Sequence, residues 1–315
     1  MQSCPHAVKQ QLNRTDLFVR PIDEPIPHAL QNTRAGEVFS HLVRMNDGAF
    51  HQALKTAIVA ALAAFTPDEI SQIAEHCARH ICADFPAEMT AENVTYFNYA
   101  LPVCAVAQLL GVAAESHREL LNEVLPFIRC IAPGSNAEQL ALGVAASERL
   151  FQRIALLLKV PGPLLKHLQQ ACHQQEITDP NVVIANAMGL LFQTCEGTAG
   201  LISQALLLGD NYNHGLQNVI ERVLSQTPPI MTTRRFNHKS PEPLVLSLAQ
   251  GNAFGSGAHA CPGERWASLL ALSAIRFLTS RGAIDKAIQH YRWRESLNAR
   301  VAEFFTFVVE EPKGA

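Results

Sequence analysis

The stretch from Asp179 to Leu208 constrains this chain more than any other. It opens with Asp179-Pro180, an N-cap acid followed by proline at the first helical position, and it stops at Gly209-Asp210. At about 1.5 Å per residue, a helix over this stretch is roughly 40 Å long. Apolar residues cover nearly its whole circumference, so the pattern predicts a buried central helix rather than a surface one. In its middle lies Gln193-Thr194-Cys195-Glu196-Gly197-Thr198-Ala199-Gly200, with Gln193 and Gly197 four apart and therefore on one face.

The chain can bury such a helix. Its 315 residues, 48% hydrophobic and 17% charged, support a sizeable core in one large domain or two small ones. A formal net charge of -3 argues against the basic footprint of a nucleic-acid binder. No run reaches the roughly 18 apolar residues that span a bilayer, and the longest candidate, Leu101 to Ala114, is shorter and holds Gln108. Met1-Gln2-Ser3-Cys4-Pro5-His6 lacks the charged-then-apolar build of a signal peptide. Eight cysteines without a spacing pattern suit a reducing compartment. The expectation is a cytoplasmic protein with neither nucleic-acid nor membrane partners.

A second stretch carries chemistry. Phe254-Gly255-Ser256-Gly257-Ala258-His259-Ala260-Cys261-Pro262-Gly263-Glu264-Arg265-Trp266-Ala267 places glycines around one cysteine and then turns into an apolar, helix-like run. Glycines let backbone approach a flat ligand and adopt positive φ. A thiol just before a helix N-terminus is favoured as thiolate, the form that binds metal.

This stretch closely resembles the haem-binding loop of the cytochrome P450 family, Phe-Gly-x-Gly-x-[His/Arg]-x-Cys-x-Gly with an alanine four residues later; every one of these positions is met. The resemblance implies a single haem-thiolate domain over residues 1–315, mainly α, with a cytochrome P450-like helical fold and a reduced β-sheet portion. It implies haem b, with Cys261 as the iron ligand, the loop residues Phe254, Gly255 and Gly263 around it, and His259 on a haem propionate. The thiolate in that family pushes electron density toward O–O cleavage.

Other segments extend the likeness. Ala49 to Ala64 reads as a strong helix ended by Phe65-Thr66-Pro67, with His51 and Lys55 on one face. It resembles the family's His-x-x-x-Arg helix, whose pair holds a propionate; Lys55 keeps the charge and loses the guanidinium fork. Arg235, the better count of Arg234-Arg235, falls where the family places another propionate partner. The central stretch resembles the distal helix with [Ala/Gly]-Gly-x-[Asp/Glu]-Thr-[Thr/Ser]. Glu196 stands on the acid, Gly197 replaces the proton-steering Thr, and Thr198 holds the second Thr position about 100° further round. Gln193 either aims an amide at the haem or bonds backbone in an irregularity at Gly197. Glu196, Thr198 and Gln193 are the candidate catalytic residues, and Gly189, Ile230 and Met231 are further candidates for the pocket.

Elsewhere the family pattern breaks. Residues 1–42 form an atypical lead-in, loop-rich to Arg34. Where Glu-x-x-Arg is expected before Pro228-Pro229 stand Arg222 and Ser225, with Glu221 as a shifted remnant, and the meander before Phe254 is missing. Helices are also expected over Pro67–Phe85, Asn98–Val112, Leu140–Leu158 and Trp266–Leu278, with a closing β-hairpin over Tyr291–Val309. His76, Cys77, His80 and Cys82 match no zinc pattern and read as solvated helix residues.

The function implied is a haem-thiolate oxidoreductase acting on a small organic molecule in specialised metabolism, with non-standard proton delivery because of Gly197. Monooxygenation, oxidative coupling or cyclisation, and peroxide-driven oxidation remain open. Electrons would come from an external ferredoxin or flavodoxin, a redox partner protein, or hydrogen peroxide would supply both. The alternatives are non-redox haem-thiolate chemistry (dehydration or rearrangement) and a non-catalytic haem-binding partner protein.

Overall fold

The computed structural model describes residues 1–209, 215–238, 240–282, 284–296 and 298–306. In chain order these contain α1 (Pro5–Leu12), α2 (Arg34–His41), α3 (Gly48–Ala63), α4 (Pro67–Ile81), α5 (Ala91–Leu110), α6 (His117–Cys130), α7 (Ala137–Leu157), α8 (Pro163–Gln174), α9 (Pro180–Leu207) and α10 (Leu216–Gln226). The hairpin of β1 (Thr232–Asn237) and β2 (Ser240–Ser247) follows, then α11 (Glu264–Ser280), β3 (Tyr291–Trp293) and β4 (Ala302–Phe304).

The central stretch forms α9 as its caps require. The Asp179 carboxylate accepts from the Asn181 N–H at 2.9 Å. From Val182 to Leu206 most side chains are buried on every side of the helix. A helix apolar all round must be surrounded, and α5, α11, α2, α7, α10, α6 and α8 all pack on it. The largest of these interfaces is with α5, and α4 closes the bundle against α5 and α11. Phe97 of α5 and Phe277 of α11 stack at 5.8 Å beside this seam.

The structure moves several expected boundaries. α5 starts at Ala91 because Thr90 and Asn93 form a reciprocal capping box, and Pro102 lies inside the helix rather than leading into it. Burial on all sides of α5 offsets the hydrogen bond that proline removes. α4 ends at Ile81, not Phe85; its Cys77 and Cys82 are core residues while His76 and His80 face solvent. No cluster of His, Cys, Asp or Glu among the described residues could hold a metal. α6 and α8 complete the bundle without having been delimited in the sequence. The closing hairpin is short, β3 pairing β4 through Tyr291↔Phe304 and Trp293↔Ala302; residues 307–309 of the expected span lie outside the described residues.

The lead-in is not merely loop. Pro5 stands at the first position of α1, and Val8 and Leu12 form a small core of their own with Leu246 and Leu248. Single β-bridges, Gln2 to Leu246 and Phe18 to Phe236, attach this segment to the β1–β2 hairpin. At α10, Glu221 and Arg222 bond to Gln217 and Gln226 one turn away, on the exposed face.

Candidate functional site

The loop 254–263 is shaped by its glycines and its own hydrogen bonds. Gly255 and Gly257 take φ of 71° and 70°. The Cys261 N–H donates to the Phe254 carbonyl at 2.8 Å and the Ala260 N–H to that of Gly257 at 3.0 Å. A side chain at Gly257 would have its Cβ 2.6 Å from Asn13 Oδ1, and a Cβ at Gly263 would lie 3.8 Å from the Cys261 sulfur. Cys261 is accessible although it lies inside the fold. Burial raises its thiol above the ordinary range, against the Gly263 N–H and the charges of Lys55 and Arg44. The helix N-terminus alone therefore does not ionise this thiol. Coordination to a metal does, since a ligating thiol is deprotonated outright.

Four cationic or potentially cationic side chains gather beside the loop. His51 of α3 and His259 stack at 4.0 Å. His259 Nε2 donates to Asp47 Oδ1 at 2.9 Å, and Asp47 Oδ2 accepts from the Val19 N–H at 3.0 Å. Burial works against the Asp47 carboxylate, but these two bonds hold it below its usual range. Burial also lowers His51 to about 4, assisted by His259 and Lys55. Lys55 Nζ donates to the Ala260 carbonyl, next to Cys261, and burial lowers its pKa. Arg235 on β1 is 6% exposed, and its Nη1 donates to Thr233 Oγ1 and the Arg234 carbonyl. Burial lowers Arg235 too, with Asp47 the carboxylate that opposes the shift.

These residues fit a haem. His51, His259 and Arg235 share the one half-buried carboxylate of Asp47, and Lys55 stands on the Ala260 carbonyl, which leaves positive charge for propionates, and glycine backbone flanks an accessible thiol. Asp47 was not singled out in the sequence, where it reads as the N-cap of α3; in the structure its side chain makes no capping bond.

α9 is regular through its polar turn. Gln193 is exposed in the middle of this largely buried helix. Its Nε2 donates to the Gly189 carbonyl at 3.0 Å, with no helix break at Gly197. A Cβ at Gly197 would meet nothing nearer than Ile230 Cγ1 at 4.0 Å. Thr198 is 1% exposed and its hydroxyl lies 3.5 Å from that of Thr194. Glu196 accepts from Arg294 Nη2 at 3.0 Å. Burial opposes the charge of Arg294, while Glu196 and Tyr99 stabilise it. The guanidinium also lies over the Tyr99 ring, and Tyr99 donates to Glu303 at 3.2 Å. Arg294, Tyr99 and Arg44 were missed in the sequence; Arg44 had the one available signal, a charge within the apolar Leu42-Val43-Arg44-Met45 run.

A mainly α bundle around one long buried helix, with a glycine-framed cysteine loop leading into α11, which packs on that helix, is the cytochrome P450 fold. Solved structures agree. The chain is similar to P450BioI in complex with acyl carrier protein bearing hexadec-9Z-enoic acid, at TM-score 0.76 and 17% identity over 95% of this chain and 89% of that one. It is similar to the myxobacterial cytochrome P450 CYP267B1 in complex with myristic acid, at 0.76 and 18% over 96% and 88%. It is also similar to CYP109E1 from Bacillus megaterium in complex with testosterone, at 0.71 and 17% over 95% and 89%. At these identities the likeness is one of fold. No family model and no curated protein matches the sequence.

Proposed function

We propose that this chain is a haem-thiolate oxidoreductase that acts on a small organic molecule bound between the Cys261 loop and α9. The observation that carries the reading is the accessible Cys261 thiol in its Gly255–Gly263 frame, beside Lys55 and the three nitrogen side chains, His51, His259 and Arg235, that share Asp47. Cys261 would ligate the iron, and His51, His259, Arg235 and Lys55 would hold the propionates. When bound, haem supplies oxidising equivalents at the distal side, from dioxygen with external electrons or from peroxide.

The chain's own residues then decide how protons reach that side. Gly197 provides no hydroxyl, and the Thr198 hydroxyl is buried beside Thr194. Glu196 is held by Arg294 at 3.0 Å. Gln193, anchored through its Nε2, is an exposed polar side chain in the middle of α9. A substrate hydroxyl or a water ordered by Gln193 therefore takes the place of the missing alcohol. Non-redox dehydration or rearrangement needs no proton relay to dioxygen, and the lack of a hydroxyl at Gly197 supports it as the second reading.

The test is spectroscopic first. Purified ferrous protein with carbon monoxide should show the red-shifted Soret band of thiolate ligation, and Cys261→Ala should lose it together with turnover. Activity that survives in Cys261→Ala would sink the assignment. Turnover without oxidant or reductant, under anaerobic conditions, would single out the second reading.

A further inference from the structure

Asp47 stands where three segments distant in sequence meet. Its Oδ1 accepts from His259 Nε2 of the cysteine loop at 2.9 Å, and its Oδ2 accepts from the Val19 N–H at 3.0 Å. Val19 is itself held in place, because its neighbour Phe18 exchanges two backbone hydrogen bonds of 2.8 Å with Phe236 on β1, the residue after Arg235. The Asp47 and His259 side chains are 27% and 15% exposed, so water competes only weakly for the bond between them. His51 stacks on the His259 ring at 4.0 Å with 30° between the two planes.

Charge alone does not account for this carboxylate. Placed among His51, His259, Lys55 and Arg235, it subtracts from the positive charge that would hold a propionate. Its geometry does account for it. The two nitrogens of an imidazole are distinct, and the hydrogen bond made by one decides what the other presents. With Nε2 committed to Asp47, Nδ1 is the nitrogen that His259 has left for a ligand. The stack on His51 restrains the plane of the ring, and the bond to Asp47 restrains its rotation within that plane. A carboxylate on the far nitrogen orients the histidines of metal sites in the same way. We propose that Asp47 is a positioning residue for the cofactor: it fixes the His259 ring so that Nδ1, and not Nε2, meets a haem propionate, and the Val19 N–H fixes Asp47 in turn. With a propionate on Nδ1 the ring donates from both nitrogens, one proton to each carboxylate. The inference rests on the haem-thiolate reading above and adds to it a residue that acts through His259.

The test is a double-mutant cycle on haem retention and needs no substrate. Haem dissociation from holoprotein is measured by transfer to apomyoglobin for the wild type, Asp47→Ala, His259→Ala and the double variant. Asp47→Ala is expected to raise the rate about tenfold, the lower end of what losing such a partner costs. Once His259 is already Ala, the same substitution should not raise it further. Resonance Raman spectra of the ferric proteins give a second readout. The propionate bending band should shift in Asp47→Ala in the same direction as in His259→Ala, which a merely structural role would not produce. Asp47→Asn keeps the shape and one acceptor oxygen, so it should show the same pattern at smaller size, and it closes the cycle if Asp47→Ala does not fold. An unchanged rate in the Asp47 variants, or an increase that persists in full in the His259→Ala background, overturns the inference. So does a His259→Ala protein that retains haem as the wild type does, a result that also removes His259 from the propionate partners. If wild-type protein binds no haem, the haem-thiolate reading itself fails and takes this inference with it.

Discussion

His51 is the side chain whose charge the folded chain opposes most clearly. Held at about 4 instead of the ordinary 6.5, it is neutral in the folded protein while the unfolded chain would bind its proton near pH 6.5. The unfolded state therefore binds more protons across that window. Stability is full above about pH 6.5 and is lost as pH falls toward 4, by an upper bound of about 3.5 kcal/mol at roughly 1.4 kcal/mol per pKa unit. Asp47, held low, adds its own loss only further into acid. Urea midpoints of haem-free protein between pH 4 and 7 should fall with acid and fall less in His51→Phe, which keeps an aromatic ring against His259. An identical slope in the variant would remove His51 from this role. At this scale the cysteine, the two histidines and Arg235 were legible because each stands in a fixed local pattern. Asp47 was not, because its cap position predicts a local bond and it instead reaches across the fold to His259.

At the scale of elements, α9 shows how two glycines in one helix differ. Gly197 borders open space, while a Cβ at Gly200 would lie 2.6 Å from the Arg300 carbonyl and 2.8 Å from Pro229 Cβ. Gly197→Ala should stabilise the protein by about 0.5–1 kcal/mol through helix propensity. Gly200→Ala should destabilise it by about 1–3 kcal/mol, since backbone and a proline ring must shift. Denaturant midpoints of the two variants decide this, and a shift of the same sign in both contradicts it. The same helix is fastened to the closing hairpin by the ion pair of Glu196 with Arg294, whose side chains are 17% and 8% exposed. Replacing Arg294 by Met leaves a half-buried carboxylate without its donor and should cost about 2–4 kcal/mol in thermal or chemical unfolding; a change below 1 kcal/mol would mean water replaces the guanidinium freely. The extent of α9 was readable from its caps and periodicity. The tie to Arg294 was not, because nothing local relates residues almost a hundred positions apart.

For the whole molecule, the two segments that break the family pattern compensate for each other. The meander before the cysteine loop is missing, and the amino-terminal segment occupies that neighbourhood. Asn13 Nδ2 donates to Ser256 Oγ at 2.9 Å, Asn252 Nδ2 to the Pro5 carbonyl at 3.3 Å, and α1 packs on β2. From the other side the Gln250 N–H donates to the Ser225 carbonyl at 2.7 Å and ties α10 to the loop. Removing residues 1–15 should therefore lower haem content per chain and raise the haem dissociation rate, more than Asn13→Leu alone does. Haem transfer to apomyoglobin measures it. Retention equal to that of the intact chain would show that the segment does not brace the loop.

What the sequence by itself determined is local: a long helix buried on every side, a glycine-framed cysteine before a helix, and the residue types beside them. These follow from periodicity, caps and φ preferences, which act over a few residues. The tertiary structure alone decided which charges meet. It placed Asp47 on His259 and Glu196 on Arg294. Pairing of this kind depends on distance through the folded interior and on how much water burial removes, and neither quantity is carried by spacing along the chain.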